Sequence, residues 1–565
     1  MSSTTPERAF WCVTTHLSQT VRALATIGQS SKRGRDATAD VLTATRHRSS
    51  MTNGLRFALE AFSRRDRNNE PDDTWWQAVK EFLRLGADPD AVRSDWTVLR
   101  MGATWDNLEV VTLALERGAD PDLCDSDGDT ALILAACNAA ERVVPRLLEA
   151  RAKLDVQNED GETALIEASR RGYEGIVMML LEANANPNLK THNEEGGETA
   201  LMLAVMHEYE GILNMLLAAN ADPNLKNDDG WTALVMAARH GYEGILNMLL
   251  AANADPNLKT YEGETALMHA AFEGHVGIVT RLLEANSTDP NLEDKKRETA
   301  LMHAVRGNKV ETVTRLLASN ADPNLKNKDG WTALMIASKL GHQGIVTRLL
   351  EAHADPNLNN NDGWTALMHA TFRGREGVVT RLLAAHADAN VRGARSSALG
   401  LAVETEHGGL VCELLDAGAD PNWKNEEDGK TALMDAVSMG FHVIAVHLLA
   451  YDADPNLSDN EGRTAFVEAV ARHEPEFDYV VAQMLAAKAD PNSKDADGRT
   501  ALMVAASHRS PERVTMLLKA GATPTLRRNG IRVETTPLIE AMVIAAASTR
   551  ARRNNPKRHQ RLNLH

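Results

Sequence analysis

The chain has 565 residues, of which 43% are hydrophobic, 25% charged and only 4% aromatic, proportions that supply an extended core and exclude a membrane span, since no apolar run approaches the ~20 residues one needs. Its four cysteines, Cys12, Cys124, Cys137 and Cys412, include no C-x-x-C pair, which argues against a disulfide framework and for a reduced, intracellular chain. The net charge of −17 is uneven, with +4 in residues 1–50, +6 in residues 550–565 and about −27 between them, and an acidic body argues against nucleic acid as the partner.

In chain order, residues 1–51 form a basic N-terminal segment whose first 50 residues hold 16 serines and threonines. Phe10, Val13, Leu17, Val21 and Leu24 would share one helix face, so the segment resembles an organelle transit peptide. A disordered tail, or a true start at Met51, stands as the alternative. Residues 52–94 read as an atypical capping repeat, with Leu55, Leu59 and Phe62 on one helix and Trp76, Val79 and Leu83 on the next.

From residue 95 to 548 a threonine before Ala-Leu recurs, as at Thr130, Thr163, Thr199, Thr232, Thr265, Thr299, Thr332, Thr365, Thr431 and Thr500, mostly in steps of 32 to 34 residues. In the unit at Thr232, Asp229-Gly230 supplies a turn and the threonine hydroxyl can cap a new helix. Ala233, Leu234, Ala237 and Ala238 give that helix a side of little bulk, and Ile245, Leu246, Leu249 and Leu250 fall at helical spacing on a second one. Pro256, in an Ala-Asp-Pro-Asn loop, stops its continuation. One such pair cannot bury its own apolar stripe, so neighbours must stack on it. The count is about 13 full units and a closing partial one at Thr536-Pro537-Leu538. Three units carry extra residues, near Thr191–Gly196, His473–Asp478 and Arg527–Glu534.

This run of helix-turn-helix units resembles the ankyrin-repeat family, whose signature is T-P-L-H-x-A. Here alanine replaces the proline except at Pro537, and methionine often replaces the histidine, as at Met202, Met268, Met302, Met335, Met368, Met434 and Met503. We read that methionine ladder as core. The resemblance implies an all-α solenoid with short finger loops, and candidate hydroxylation of the loop residues Asn224, Asn257, Asn324 and Asn357.

No phosphate loop, G-x-S-x-G or H-E-x-x-H motif is present, so no catalytic residue, cofactor or metal is expected. His269, His303 and His369 occupy one slot in different units. A helix spacing of ~8–10 Å keeps such histidines from sharing a zinc bound at ~2 Å.

Binding fits better. By the family's pattern a concave wall is lined by the third, sixth and seventh residues after the Ala-Leu alanine. These are Glu167, Arg170, Arg171; Leu203, Met206, His207; Met236, Arg239, His240; His269, Phe272, Glu273; His303, Arg306, Gly307; Ile336, Lys339, Leu340; and His369, Phe372, Arg373. Six basic and two acidic residues make this stretch +4. Trp231, Trp331 and Trp364 stand at the finger tips, where the equivalent residue elsewhere is Glu162, Glu198, Glu264 or Glu298. Exposed tryptophan and arginine often carry interface energy, although each tryptophan could instead cover its neighbouring finger. The expected function is a scaffold or adaptor, a monomer, taking one or more proteins with acidic or apolar docking segments. The alternative is a regulatory subunit targeted to an organelle or the nucleus through its basic ends. Residues 549–565, with Arg550, Arg552, Arg553, Lys557, Arg558 and Arg561, read as a disordered tail, with a nuclear-import or nucleic-acid patch as the alternative, and the expected location is cytoplasmic, with nucleus or organelle as alternatives.

Overall fold

A computed structural model describes residues 48–554 apart from 57, 60–70, 72, 94, 193–195, 286, 394–395, 526, 529–530 and 533–536. The transit-peptide face at Phe10–Leu24, together with Phe62, Thr536 and residues 555–565, lies outside the described residues.

The local rules act as the repeat implies. Thr232 accepts the Val235 N–H at 3.3 Å, and Thr332 and Thr365 do the same for Met335 and Met368 at 3.3 Å, so each hydroxyl satisfies a free amide of the first helical turn. Gly230, at φ +78, could not carry a side chain: a Cβ there would lie 2.5 Å from the Tyr261 backbone nitrogen. Both helices of a pair then bury their apolar stripes. In the pair Ala233–His240 and Glu243–Ala251 the first helix buries Ala233, Leu234, Val235, Met236, Ala237 and Ala238, and the second buries Ile245, Leu246 and Leu249. The methionine ladder is core, at 4% exposure or less from Met202 to Met503. A leucine buried in this way contributes roughly 1.5–3 kcal/mol, which a helix of seven to nine residues cannot realise without neighbours.

The chain divides into two compact units. The first comprises the residues through Ala270 together with Thr280–Thr288. In it the first helices Val98–Thr104, Ala131–Cys137, Ala164–Arg171, Ala200–Met206 and Ala233–His240 pack in series, and each carries its second helix. In the N-terminal helical segment Leu55, Leu59, Trp76, Val79 and Leu83 are all buried. This segment is latched where Thr52 Oγ1 accepts the Asp88 N–H at 3.0 Å.

The second unit comprises Ala271–Val279 and the chain from Asp289 onward. It stacks Ala300–Arg306, Ala333–Leu340, Ala366–Phe372, Ala398–Glu404, Ala432–Met439, Ala465–Ala471 and Ala501–Ser507 in the same way. The lengthened turn near His473 is held by Arg513, a buried side chain that donates to Asp478 at 2.6 Å, to the Val470 carbonyl at 2.9 Å and to the Glu474 carbonyl at 3.0 Å. Two details depart from the expectation. Arg527–Arg528 pairs antiparallel with Ile531–Arg532, a two-residue ribbon in an otherwise helical chain. The closing helix runs Pro537–Asn554, six residues into the stretch read as a tail, because residues 549–554 contain neither glycine nor proline to break it.

Between repeats the loop asparagines form a ladder. Asn224 accepts the Asp255 N–H, Asn324 that of Asp355 and Asn357 that of Asp388, each at 2.8 Å. Asn257 donates to the Ser287 carbonyl at 2.5 Å. Their amides thus bind consecutive loops together, a structural task beside the expected modification.

Candidate binding wall

Most finger-tip residues are aimed by an asparagine or aspartate four positions earlier, and Glu198 and Glu264 by the hydroxyls of Thr191 and Thr260. Asn327 Oδ1 accepts the backbone N–H groups of Asp329 at 3.0 Å and Trp331 at 2.9 Å, and Asn360 holds Asp362 and Trp364 at 3.1 and 2.8 Å. Asn227 does the same for Trp231 at 2.8 Å. These asparagines are buried, so the turn is fixed from beneath and the tip side chain folds back along the first helix of its own repeat.

There it meets the residue eight positions on. In the first unit Glu162 lies 2.5 Å from Arg170, and Arg239 stacks over Trp231 at 5.0 Å from the ring centroid. In the second unit Glu298 takes Arg306 in a two-pronged ion pair, Lys339 stands over Trp331 at 4.6 Å, and Trp364 meets Phe372 edge-on at 5.5 Å. Ser396 faces Glu404 at 3.5 Å in the same relation. Ion pair, cation–π contact and aromatic edge are alternative solutions to one geometry.

The expected wall residues therefore fall into distinct settings. Arg170 and Arg171 are both tied to the buried Glu167, at 3.1 and 2.9 Å. Burial works to raise the Glu167 carboxyl, but the Arg171 and Arg170 guanidiniums hold it below its usual range. Glu162 and Glu298 belong to the same surface as the arginines they bind, so the +4 counted from helix positions alone overstates its charge. Leu203, Met236 and Ile336 are core rather than wall. Phe272 and Phe372 are exposed, at 44% and 40%, as are Met206 and Leu340.

The tryptophans are not free finger tips. All three are half-buried, and a histidine gives each ring a partner, on the next repeat for Trp231 and Trp331 and on its own repeat for Trp364. Trp231 lies 4.7 Å from His269 in the first unit, and in the second His369 sits between Trp331 at 4.1 Å and Trp364 at 5.1 Å. His369 Nε2 is buried without a hydrogen-bond partner. Burial, then the charges of Lys339 and Arg373, push its imidazole down to about 4. The other two histidines face carboxylates, His269 at 3.2 Å from Glu264 and His303 at 3.3 Å from Asp294.

Beyond Arg373, the last of the expected wall residues, the second unit carries the same face onward through Glu404, Asp435 and Glu468. Burial, followed by repulsion from Asp428, Glu404 and Glu468 that Lys430 only partly offsets, pushes Asp435 up to about 6. The signal was in the sequence: Asp435 and Glu468 are the third residues after Ala432 and Ala465.

Comparison with known proteins agrees with the repeat architecture. A family model described as ankyrin repeats (3 copies) matches residues 76–158, 99–191, 139–227, 189–260, 254–327, 301–393, 399–495 and 433–528. The 2-5A-dependent ribonuclease of Homo sapiens is similar over 68 residues at 43% identity, which is 12% of this chain and 9% of that protein. Among the described residues no helix is long and apolar enough to cross a membrane. With its matches running from residue 76 to 528, the chain belongs to the ankyrin-repeat family.

Proposed function

We propose that the chain is a protein-binding scaffold or adaptor whose first helices and finger tips form the docking surface, and that it has no catalysis of its own. The observation that carries this reading is the placement of Met206 in the first unit, and of Phe272, Leu340, Phe372 and Met439 in the second, as exposed apolar side chains on the C-terminal halves of first helices. Core packing does not require them there, and large exposed apolar groups beside cations are the side chains from which interface hot spots are built. The match to a ribonuclease covers 12% of this chain and 9% of that protein and lends no activity to this one.

The test is affinity capture from the native cell with the full chain and with a Phe272→Ala/Phe372→Ala variant. A scaffold using this surface recovers proteins that the variant loses while melting like the wild type. Recovery of the same proteins by both chains would rule the surface out. Hydroxylation of Asn224, Asn257, Asn324 and Asn357 stays a proposal of the family resemblance, tested by mass spectrometry of the native protein.

A further inference from the structure

Resting on that reading, we infer that the second unit carries one specific docking point, at Lys339, Leu340, Phe372 and Arg373, that takes an acidic side chain flanked by an apolar one from a protein partner. Within the second unit the eight-residue relation points to it. Where the finger tip is glutamate the fold neutralises its own wall cation, as Glu162 does Arg170 and Glu298 does Arg306. Where the tip is Trp331 it offers Lys339 an aromatic ring instead, and a ring leaves the full charge in place, while Trp364 meets Phe372, over which Arg373 lies. Among the described residues neither Lys339 nor Arg373 makes an ion pair, in a chain whose net charge is −17.

The surroundings suit a mixed ligand. Lys339 lies over Trp331, Arg373 lies 5.7 Å over Phe372, and the rings of Trp331, His369, Trp364 and Phe372 form one connected cluster between the two cations. The charges of both cations act on His369, whose buried Nε2 has no hydrogen-bond partner. Leu340 and Phe372 are exposed beside it. A carboxylate approaching Lys339 and Arg373 therefore gains charge-assisted contacts while its apolar neighbour covers Phe372 or Leu340. A basic segment would be repelled here, which makes the charges a selectivity device as well as an attraction.

The test uses fluorescence anisotropy of the full chain with labelled synthetic peptides of repeated Glu-Glu-Phe and Lys-Lys-Phe triplets, and with a thymidine oligonucleotide. The Glu-Glu-Phe peptide is expected to bind best and to weaken about tenfold on raising salt from low to several hundred millimolar. Lys339→Glu/Arg373→Glu should lose that peptide and gain the Lys-Lys-Phe one, a rescue that a misfolded variant could not show. Equal binding of both peptides, or no binding of either, overturns the site. Binding that survives the charge reversal but is lost in Phe272→Ala removes this site and leaves the broader surface intact. Preference for the oligonucleotide overturns the protein class.

Discussion

Lys339 holds its ammonium over the indole of Trp331, at the place where Arg306, one repeat earlier, holds its guanidinium against the carboxylate of Glu298. In these repeats the finger tip and the end of the first helix are thus a matched pair. The tip tryptophans are consequently part of the packing, since Trp331 also stacks on His369 of the next repeat.

This separates two classes of aromatic on the wall. Replacing Trp331 or Trp364 with alanine should destabilise its repeat by about 1–3 kcal/mol, the range for losing a half-buried ring and its stacked partner. Phe272→Ala should stay within about 0.5 kcal/mol, as exposed positions do. Long repeat arrays unfold without strict two-state cooperativity, so the difference is best read from amide exchange of Ala333–Leu340 and Ala366–Phe372. Equal, small effects at all three positions would make the tryptophans true finger tips.

His369 gives a pH dependence with a definite sign. Its folded value of about 4 lies below the ordinary 6.5, so the fold prefers the neutral ring. The stability tied to it is complete above pH ~6.5 and is lost as pH falls from there toward 4, amounting to at most about 3 kcal/mol. His369→Phe keeps a ring between Trp331 and Trp364 and cannot charge. Its melting temperature should fall less than the wild type's between pH 6.5 and 4.5. Parallel curves for the two proteins would show that the imidazole does not titrate in this setting.

The repeat itself was legible in the sequence because a capping threonine, a glycine turn and an apolar stripe recur at a fixed step, and each is a local decision of the backbone. The methionine ladder followed from the same register. The partners of the wall side chains were not legible. Whether Arg306 points to solvent or to Glu298 depends on how a finger folds back across a turn, and Glu298 lies before the helix that starts at Ala300, so helical periodicity does not place it. The half-burial of Trp331 depends on His369 in another repeat, so counting charges on helix positions alone gave Arg170 and Arg306 a freedom that the tip glutamates remove. Asp435 and Glu468, by contrast, were readable in the same register beyond Arg373.

The asparagine ladder predicts a directional effect. Asn324→Ala removes the acceptor of the Asp355 N–H and should cost about 0.5–1.5 kcal/mol, the net value of one such hydrogen bond. The loss should appear as faster exchange at Asp355, with Asp388, whose acceptor is Asn357, unchanged. Equal acceleration at both amides would mean that the loops respond as one body.

Asp435 gives the opposite pH sign. Its carboxyl, pushed up to about 6 by burial and then by neighbouring carboxylates, favours the protonated form when folded. Below pH ~4 the carboxyl is protonated whether the chain is folded or not, and it costs nothing. As pH rises from about 4 to 6 the unfolded chain ionises the group while the folded chain resists a half-buried charge that Lys430 only partly offsets, so stability falls over that window and levels above it. Asp435→Asn keeps the shape and removes the charge, and it should stabilise the repeat at pH 7 by about 1–3 kcal/mol with no gain at pH 4. A gain independent of pH would point to packing instead of ionisation. If the second unit's wall also binds basic groups near Glu404 and Glu468, the stabilised variant should bind them less well, because the charge that strains the repeat is the one that would attract them.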